Sequence, residues 1–377
     1  MTKDIFEKLA AHLDNLPGGF PSTKTGVELR ILKRLFTAEE AAMALHLSPI
    51  PEEAGTIARR AGGSEDGVKD LLDDMFRKGL ILKISRKKRP PKYMALQYAI
   101  GIWEYHVENL DRELAGDMDE YLPVLLNPET WSKSPQLRTV PVGKSIDHRL
   151  EILPYEMIEE VVRCEEKILV APCICRRERR LLGEGCDRPL ETCLVLGRAS
   201  DFYLERGIGR AIGQEEALKI LKRADEAGLV LQPSNSKDIV NICCCCGCCC
   251  GVLRSIKRHP KPATIVSTPF VCILDVEKCE GCGICLERCQ MDAIHLETDK
   301  AVLDHNRCIG CGLCVSTCPS EALVLVRKPD SAQKEVPDTY RDAMIGMARA
   351  RGKLDAVSRP GRASSSRLND TPKSNGD

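Results

Sequence analysis

The chain carries no excess charge of either sign. Its 377 residues include 55 Lys and Arg against 55 Asp and Glu. That balance excludes a basic footprint over the whole protein and leaves nucleic acid only a local patch to hold. No run of 18 apolar residues occurs, so no membrane span is expected. The opening residues, Met1 to Ala10, lack a basic start followed by an apolar stretch, so no secretory signal is expected. A cytoplasmic chain with reduced thiols follows from that reading. Aromatics are scarce, at 4 %. Cysteine is missing altogether from the first 163 residues, although the chain has 21. All but Cys164 lie between Cys173 and Cys318, which confines the chemistry to the second half. In a reducing compartment such clusters are metal ligands more often than disulfides. The length is ample for apolar cores, so no disulfide scaffold is required.

Hydrophobic spacing then divides the chain. Residues 1–98 read as helical, then basic. Ser64 is an N-cap, followed by a helical stripe of Val68, Leu71, Leu72, Met75 and Phe76 that Gly79 ends. Ile81–Ile84 predicts a strand, residues 85–92 a basic hairpin loop, and Tyr93–Leu96 the return strand. Helix, turn, helix and hairpin together resemble a winged-helix module. A helix that reads DNA presents cations and amides, whereas residues 65–74 offer Glu65, Asp66, Asp70, Asp73 and Asp74 against one lysine. Nucleic acid is therefore not the expected partner, despite Arg86, Lys87, Lys88, Arg89 and Lys92.

Residues 99–263 are expected to form a helical, cysteine-rich central α/β domain. Within it, Ile102, Trp103, Val107, Leu110 and Leu114 predict one long helix. Residues 127–148 read as a loop or linker, 156–166 as a helix, Lys167–Ala171 as a buried strand, and 214–227 as a helix ended by Gly228. A stiff basic linker over 257–263 leads to a third domain, 264–328. The tail, 329–377, predicts one helix over about 337–353 and disorder from 355. The expected fold class is α+β, multidomain. Gly207-x-Gly209-x3-Gly213 has the wrong spacing for a dinucleotide loop and follows no clear strand, so no nucleotide is expected.

One internal repeat is present. A shift of 29 residues lays Cys279, Cys282, Cys285 and Cys289 on Cys308, Cys311, Cys314 and Cys318. Each half reads as strand, cysteine loop, short helix, strand. Three thiolates two residues apart on a tight loop can wrap one face of a metal cluster, and Gly281, Gly283, Gly310 and Gly312 let the backbone come close to it. Zinc sites instead pair CxxC with a distant CxxC. The spacing resembles the two-[4Fe-4S] bacterial ferredoxin domain. That resemblance implies one cluster on Cys279, Cys282, Cys285 and Cys318, and a second on Cys308, Cys311, Cys314 and Cys289. Pro319 follows Cys318 as in that family, but Gln290 follows Cys289, placing a peptide N–H beside one ligand. Cys272 falls on Ala301 in the shifted repeat and reads as a small buried hydrophobe. His295 falls on Val324 and reads as a packed strand residue.

A second constellation comprises Cys173, Cys175, Cys186 and Cys193, then the run Cys243, Cys244, Cys245, Cys246, Cys248, Cys249 and Cys250. Adjacent cysteines point in different directions, so the run cannot all chelate one cluster. At least one further iron–sulfur cluster is expected here, with zinc and a dithiol/disulfide couple as alternatives. Arg176, Arg177, Arg179 and Arg180 read as a solvated helix face, with stabilisation of thiolates or docking of an anionic substrate as the alternative. The PCxC segment, the cysteine run and the terminal repeat together resemble the 4Fe-4S-binding, ferredoxin-type proteins of anaerobes. No base, nucleophile or nucleotide loop is recognisable. The expected function is electron relay to a redox partner protein. A thiol/disulfide reductase-like enzyme and a redox-sensing DNA-binding regulator remain alternatives.

Overall fold

The computed structural model describes residues 4–146 and 150–354. The amino-terminal part comprises α1 (Ile5–Asp14), α2 (Val27–Leu35), α3 (Ala38–Ala44), β1 (Glu52–Glu53), α4 (Ala54–Ala61), α5 (Glu65–Arg77), β2 (Ile81–Arg86) and β3 (Arg89–Ala95). Local chemistry sets these boundaries. Thr37 and Glu40 close a capping box on α3, and the Ser64 hydroxyl accepts from the Gly67 N–H to start α5. Val68, Leu72, Met75 and Phe76 are buried along α5, as the stripe requires. The strands form an antiparallel sheet in the order β1-β3-β2. The hairpin is tighter than the expected loop over 85–92, because Arg86 pairs with Arg89 and the chain turns at Lys87 and Lys88. A register shift between Ile84 and Arg86 lies opposite Pro90 and Pro91, which have no N–H to give the ladder.

The single long helix expected from Ile102 to Leu114 is instead two pieces, α6 (Trp103–Tyr105) and α7 (Arg112–Leu125). Asp111 restarts the helix by accepting from the Leu114 N–H, so helical apolar spacing runs across a break. The expected linker over 127–148 is also structured. It opens with α8 (Pro128–Lys133) and continues as a buried strap. The N–H groups of Arg138 and Val140 donate to Pro233 and Leu231. The N–H of Thr139 donates to Ser267 and that of Val142 to Cys311. An extended segment points successive N–H groups to opposite sides, so this strap ties the central domain to the last one.

The central domain contains α9 (Ile158–Cys164), β4 (Ile168–Pro172), α10 (Ile174–Leu181), β5 (Glu191–Leu196), α11 (Arg198–Leu204), β6 (Arg210–Ile212), α12 (Gln214–Glu226), β7 (Val230–Pro233), β8 (Asn241–Cys245), α13 (Gly251–Arg258) and α14 (Pro262–Ile265). Helices thus occupy most of the expected basic linker. The five strands run in the order β6-β4-β5-β8-β7 and every pairing is antiparallel. That corrects the α/β expectation for this domain, because no parallel crossover exists among the described strands. Alternation along β4 and β5 sends Ile168, Val170, Leu194 and Leu196 into a core with Ile220 and Leu221 of α12. The other face presents Leu169, Ala171, Cys193 and Val195 to the amino-terminal core.

The last domain comprises β9 (Phe270–Leu274), α15 (Ile284–Arg288), β10 (Ile294–Glu297), β11 (Lys300–Leu303), β12 (Leu323–Arg327) and α16 (Tyr340–Ala350). Strand β9 pairs with β12, and β10 with β11, both antiparallel. The second repeat turns over 313–317 rather than forming the expected short helix. The expected disorder from 355 lies outside the described residues.

Candidate metal centres

The repeat brings sulfurs together across its two halves. One cavity is lined by Cys279, Cys282, Cys285 and, from the other half, Cys318. A second is lined by Cys308, Cys311, Cys314 and, from the first half, Cys289. Gly281 and Gly310 sit at positive φ, and a Cβ on either would collide with the carbonyl oxygen of Asp299 or Phe270. Backbone N–H groups of Ala301 and Ala293 lie 3.3 and 3.2 Å from the sulfurs of Cys279 and Cys289. Soft thiols, close backbone and N–H groups aimed at sulfur fit an iron–sulfur cluster in each cavity. Cys272 is buried as expected, but its sulfur lies 3.8 Å from that of Cys314 and lines the second cavity. His295 does not pack. It is exposed on β10 and pairs with Glu297 at 2.8 Å.

The central cysteines separate into two groups and one outlier. Cys186, Cys246, Cys248 and Cys249 place all four sulfurs within 4.8 Å of one another. Cys186 is 3.9 Å from Cys246 and 3.6 Å from Cys249, and Cys248 is 3.8 Å from Cys249. The Cys249 thiol and the Arg176 guanidinium together hold the Cys246 thiol down to about 4. Arg188 donates to the Cys248 sulfur at 3.4 Å.

Cys173, Cys175, Cys193, Cys243, Cys245 and Cys250 form the second group. Cys193 and Cys243 are directly paired across β5 and β8, and Cys245 lies two residues on, facing the same side. Cys173 and Cys250 are the N-cap residues of α10 and α13. Thiol neighbours run from Cys173 to Cys175, Cys250, Cys245, Cys243 and Cys193. Cys173 also pushes the Cys193 thiol up, so the two ends of the series lie on one side of the sheet. Cys244 points the other way, into the α12 core.

The arginines depart from the expected solvated face. Arg177 and Arg180 follow it, but Arg176 is fully buried and Arg179 nearly so. Arg176 donates to the Cys244 carbonyl at 3.1 Å, to Thr192 and to the Cys246 sulfur at 3.7 Å. Burial opposes its charge, while Cys173, Cys246 and Cys245 hold it protonated. Arg179 pairs with Asp119 at 2.9 Å. Periodicity alone could not separate these side chains, because all four share one short helix.

Sequence reasoning also missed the junction between the two cysteine-rich domains. The Gly247 N–H donates to Gln290 Oε1 at 2.8 Å, and a Cβ on Gly247 would collide with the Gln290 carbonyl oxygen. The visible signal was Gln290 itself, standing where the repeat has Pro319.

Residues 278–322 match a family model described as a 4Fe-4S dicluster domain. No curated protein and no solved structure matches the chain. No helix among the described residues is long and apolar enough to cross a membrane. The carboxyl-terminal domain is thus of the 4Fe-4S ferredoxin type, which points to iron–sulfur electron transfer.

Proposed function

We propose that the chain is an electron-transfer protein. Its last domain holds two [4Fe-4S] clusters, a further cluster sits among the eleven central cysteines, and a redox partner protein exchanges electrons with them. The observation that carries this reading is the pair of sulfur-lined cavities at the dicluster match, each lined by three loop cysteines of one half and one of the other, with Cys272 of β9 also lining the second. On this reading Cys279, Cys282, Cys285 and Cys318 bind one cluster, and Cys308, Cys311, Cys314 and Cys289 bind the second. Bound clusters supply one-electron carriers.

The surrounding residues set an order. Cys282 is exposed, and Ile273, Val276, Ile284 and Leu296 are exposed apolar side chains of the same domain. Those side chains suit docking of a partner with an apolar rim. Cys289 lies further in, and the next residue, Gln290, is bonded to Gly247 of the central run.

The amino-terminal part is read as a winged helix serving as a docking and packing module. Its strand, two helices and hairpin with a β1-β3-β2 sheet support that form. Arg206 of the central domain donates to the Phe76 and Ile81 carbonyls and stacks on Phe76 and Tyr105, which supports packing.

Anaerobic iron and sulfide analysis tests the function. Two cubes require about eight irons and a third raises that to about twelve. Dithionite should bleach the visible absorption, and an acceptor should restore it without consumption of a small substrate. Iron without matching acid-labile sulfide would overturn the reading.

A further inference from the structure

The eleven central cysteines are not one site. We infer that they form two metal centres of different nuclearity. Cys186, Cys246, Cys248 and Cys249 hold a single tetrahedral zinc ion, and the chamber formed by the other six facing thiols holds the further iron–sulfur cluster. The inference rests on the reading of the chain as an iron–sulfur protein and assigns its central thiols to their metals.

The span of the sulfurs separates the two. Four thiolates each ~2.3 Å from one tetrahedral ion stand about 3.8 Å apart. The tetrad shows 3.6, 3.8 and 3.9 Å. In a four-iron cube each thiolate binds a different iron at a different corner, so the sulfurs must stand further apart. The molecule carries its own comparison. The eight repeat cysteines fall within the dicluster match, yet no three of them close to 4.8 Å. Among the six chamber thiols, neighbours touch in pairs, but no three close to that span either. The tetrad alone, among the described residues, draws in to the dimension of one ion.

The surroundings agree. A four-thiolate zinc site carries two net negative charges, and Arg176 and Arg188 each direct a guanidinium N–H at a tetrad sulfur. The chamber lies between the β5–β8 face and the starts of α10 and α13, with half-buried Glu104 near Cys193. All six of its thiols are unpaired by disulfides. Six neighbouring unligated thiols, two buried and four half-buried, offer no packing gain over aliphatic side chains, whereas polynuclear clusters require soft sulfur donors.

The two centres share backbone. Cys245 faces the chamber and Cys246 the tetrad. Cys249 faces the tetrad and Cys250 the chamber. Each pair is joined by one peptide, with consecutive Cα atoms about 3.8 Å apart. Arg176 stands between, bonded to Cys246 and held charged by Cys173 and Cys245. The zinc ion would be redox-silent and hold the run in place, with the chamber directly behind it.

The test is metal analysis of the full chain, purified anaerobically, as wild type, Cys248→Ser and Cys193→Ser, with acid-labile sulfide and electron paramagnetic resonance of each. Cys248 is exposed and Cys193 is half-buried in the sheet, so the two substitutions place different demands on folding. The wild type should carry about twelve irons and one zinc. Cys248→Ser should lose the zinc and keep its iron and sulfide. Cys193→Ser should lose about a third of the iron and sulfide and keep the zinc. Loss of about four irons from Cys248→Ser, or wild-type iron that stops at about eight, overturns the assignment. The electron-transfer reading itself fails separately, through loss of the dicluster's own dithionite-reducible signal. One iron lost from Cys248→Ser with no sulfide supports the single-ion site and overturns zinc as its metal.

Discussion

The backbone N–H of Gly247 and the side-chain oxygen of Gln290 are 2.8 Å apart, and this bond joins the central cysteine run to the residue that follows Cys289. The approach leaves no room for a side chain at Gly247, since its Cβ would meet backbone rather than a movable group. Gln290→Ala should remove one hydrogen bond, about 1 kcal/mol. Gly247→Ala should force the two domains apart locally, at a cost of about 1–3 kcal/mol. Both should slow electron exchange between the dicluster domain and the central metal, Gly247→Ala more, with dicluster iron unchanged. Stopped-flow reduction followed at two wavelengths measures this. Equal rates in all three proteins would show that the contact is not on the route.

Ligand crossover makes a second prediction. Cys318 lines the cavity of Cys279, Cys282 and Cys285, not that of its own half. Cys318→Ala should therefore damage the cluster bound by the 279–285 loop and spare the other. Redox-resolved electron paramagnetic resonance can assign the lost signal. Loss confined to the 308–314 loop would show that the cavities do not correspond to the clusters.

Cys272 gives the contrasting case. It lines the second cavity, 3.8 Å from Cys314, but lies on β9 opposite Leu325 rather than on a cysteine loop. Cys272→Ala should keep full iron and both dicluster signals, shifting at most the potential of the nearer one. Loss of about four irons would make it a ligand.

What the sequence disclosed and what it hid follow from the range of the interactions. The repeat was legible because each cysteine loop is local, and its spacing alone picked out the trios that line the two cavities. Helix α5 was legible because Ser64 and the apolar stripe act within one helix. The break between α6 and α7 was hidden because Asp111 restarts a helix in phase with the apolar residues before it. The strap at 137–142 was hidden because its partners, Leu231, Pro233, Ser267 and Cys311, lie far along the chain. The division of the central thiols was hidden for the same reason. Cys186 joins the tetrad across 60 residues, and Cys244 differs from its neighbours only by strand alternation.

Closure of the chain ends has a pH signature. Arg351, just past α16, donates to the carbonyls of Asp14 and Leu16 and to the Asp14 carboxylate at 2.6 Å. Burial opposes the charge on Asp14, but the Phe20 N–H and the Arg351 guanidinium hold its carboxyl below the ordinary 3.8. A carboxyl lowered in this way contributes stability above its ordinary value, and that contribution is lost as pH falls through the lowered one. Protection of α16 amides, corrected for intrinsic exchange, should therefore fall as pH drops below about 4. Asp14→Asn should lower it at neutral pH by about 1–3 kcal/mol and remove that acid dependence. An unchanged profile in Asp14→Asn would place the clamp elsewhere.

The amino-terminal module should not read DNA sequence. Helix α5 carries Glu65, Asp66, Asp70, Asp73 and Asp74, and its far end is tied to the central domain through Arg206. Asp73 is partly neutralised by Lys83 at 2.7 Å and by the Tyr93 hydroxyl, while Asp74 pairs with Arg77. Among the described residues those pairs leave Glu65, Asp66 and Asp70 without a salt-bridge partner, and each close approach to phosphate is unfavourable. The hairpin offers Arg86, Lys87, Lys88, Arg89 and Lys92, all exposed. They suffice for weak attraction that counterion release weakens steeply as salt rises. Selection of random duplexes against the full chain, oxidised and reduced, should enrich no motif at an ionic strength with a screening length of roughly 8 Å. Any residual binding should be insensitive to sequence and disappear when Lys87, Lys88 and Arg89 are replaced by Ser. Recovery of one enriched motif in a single redox state would make the module a reader of DNA and the metal centres its switch.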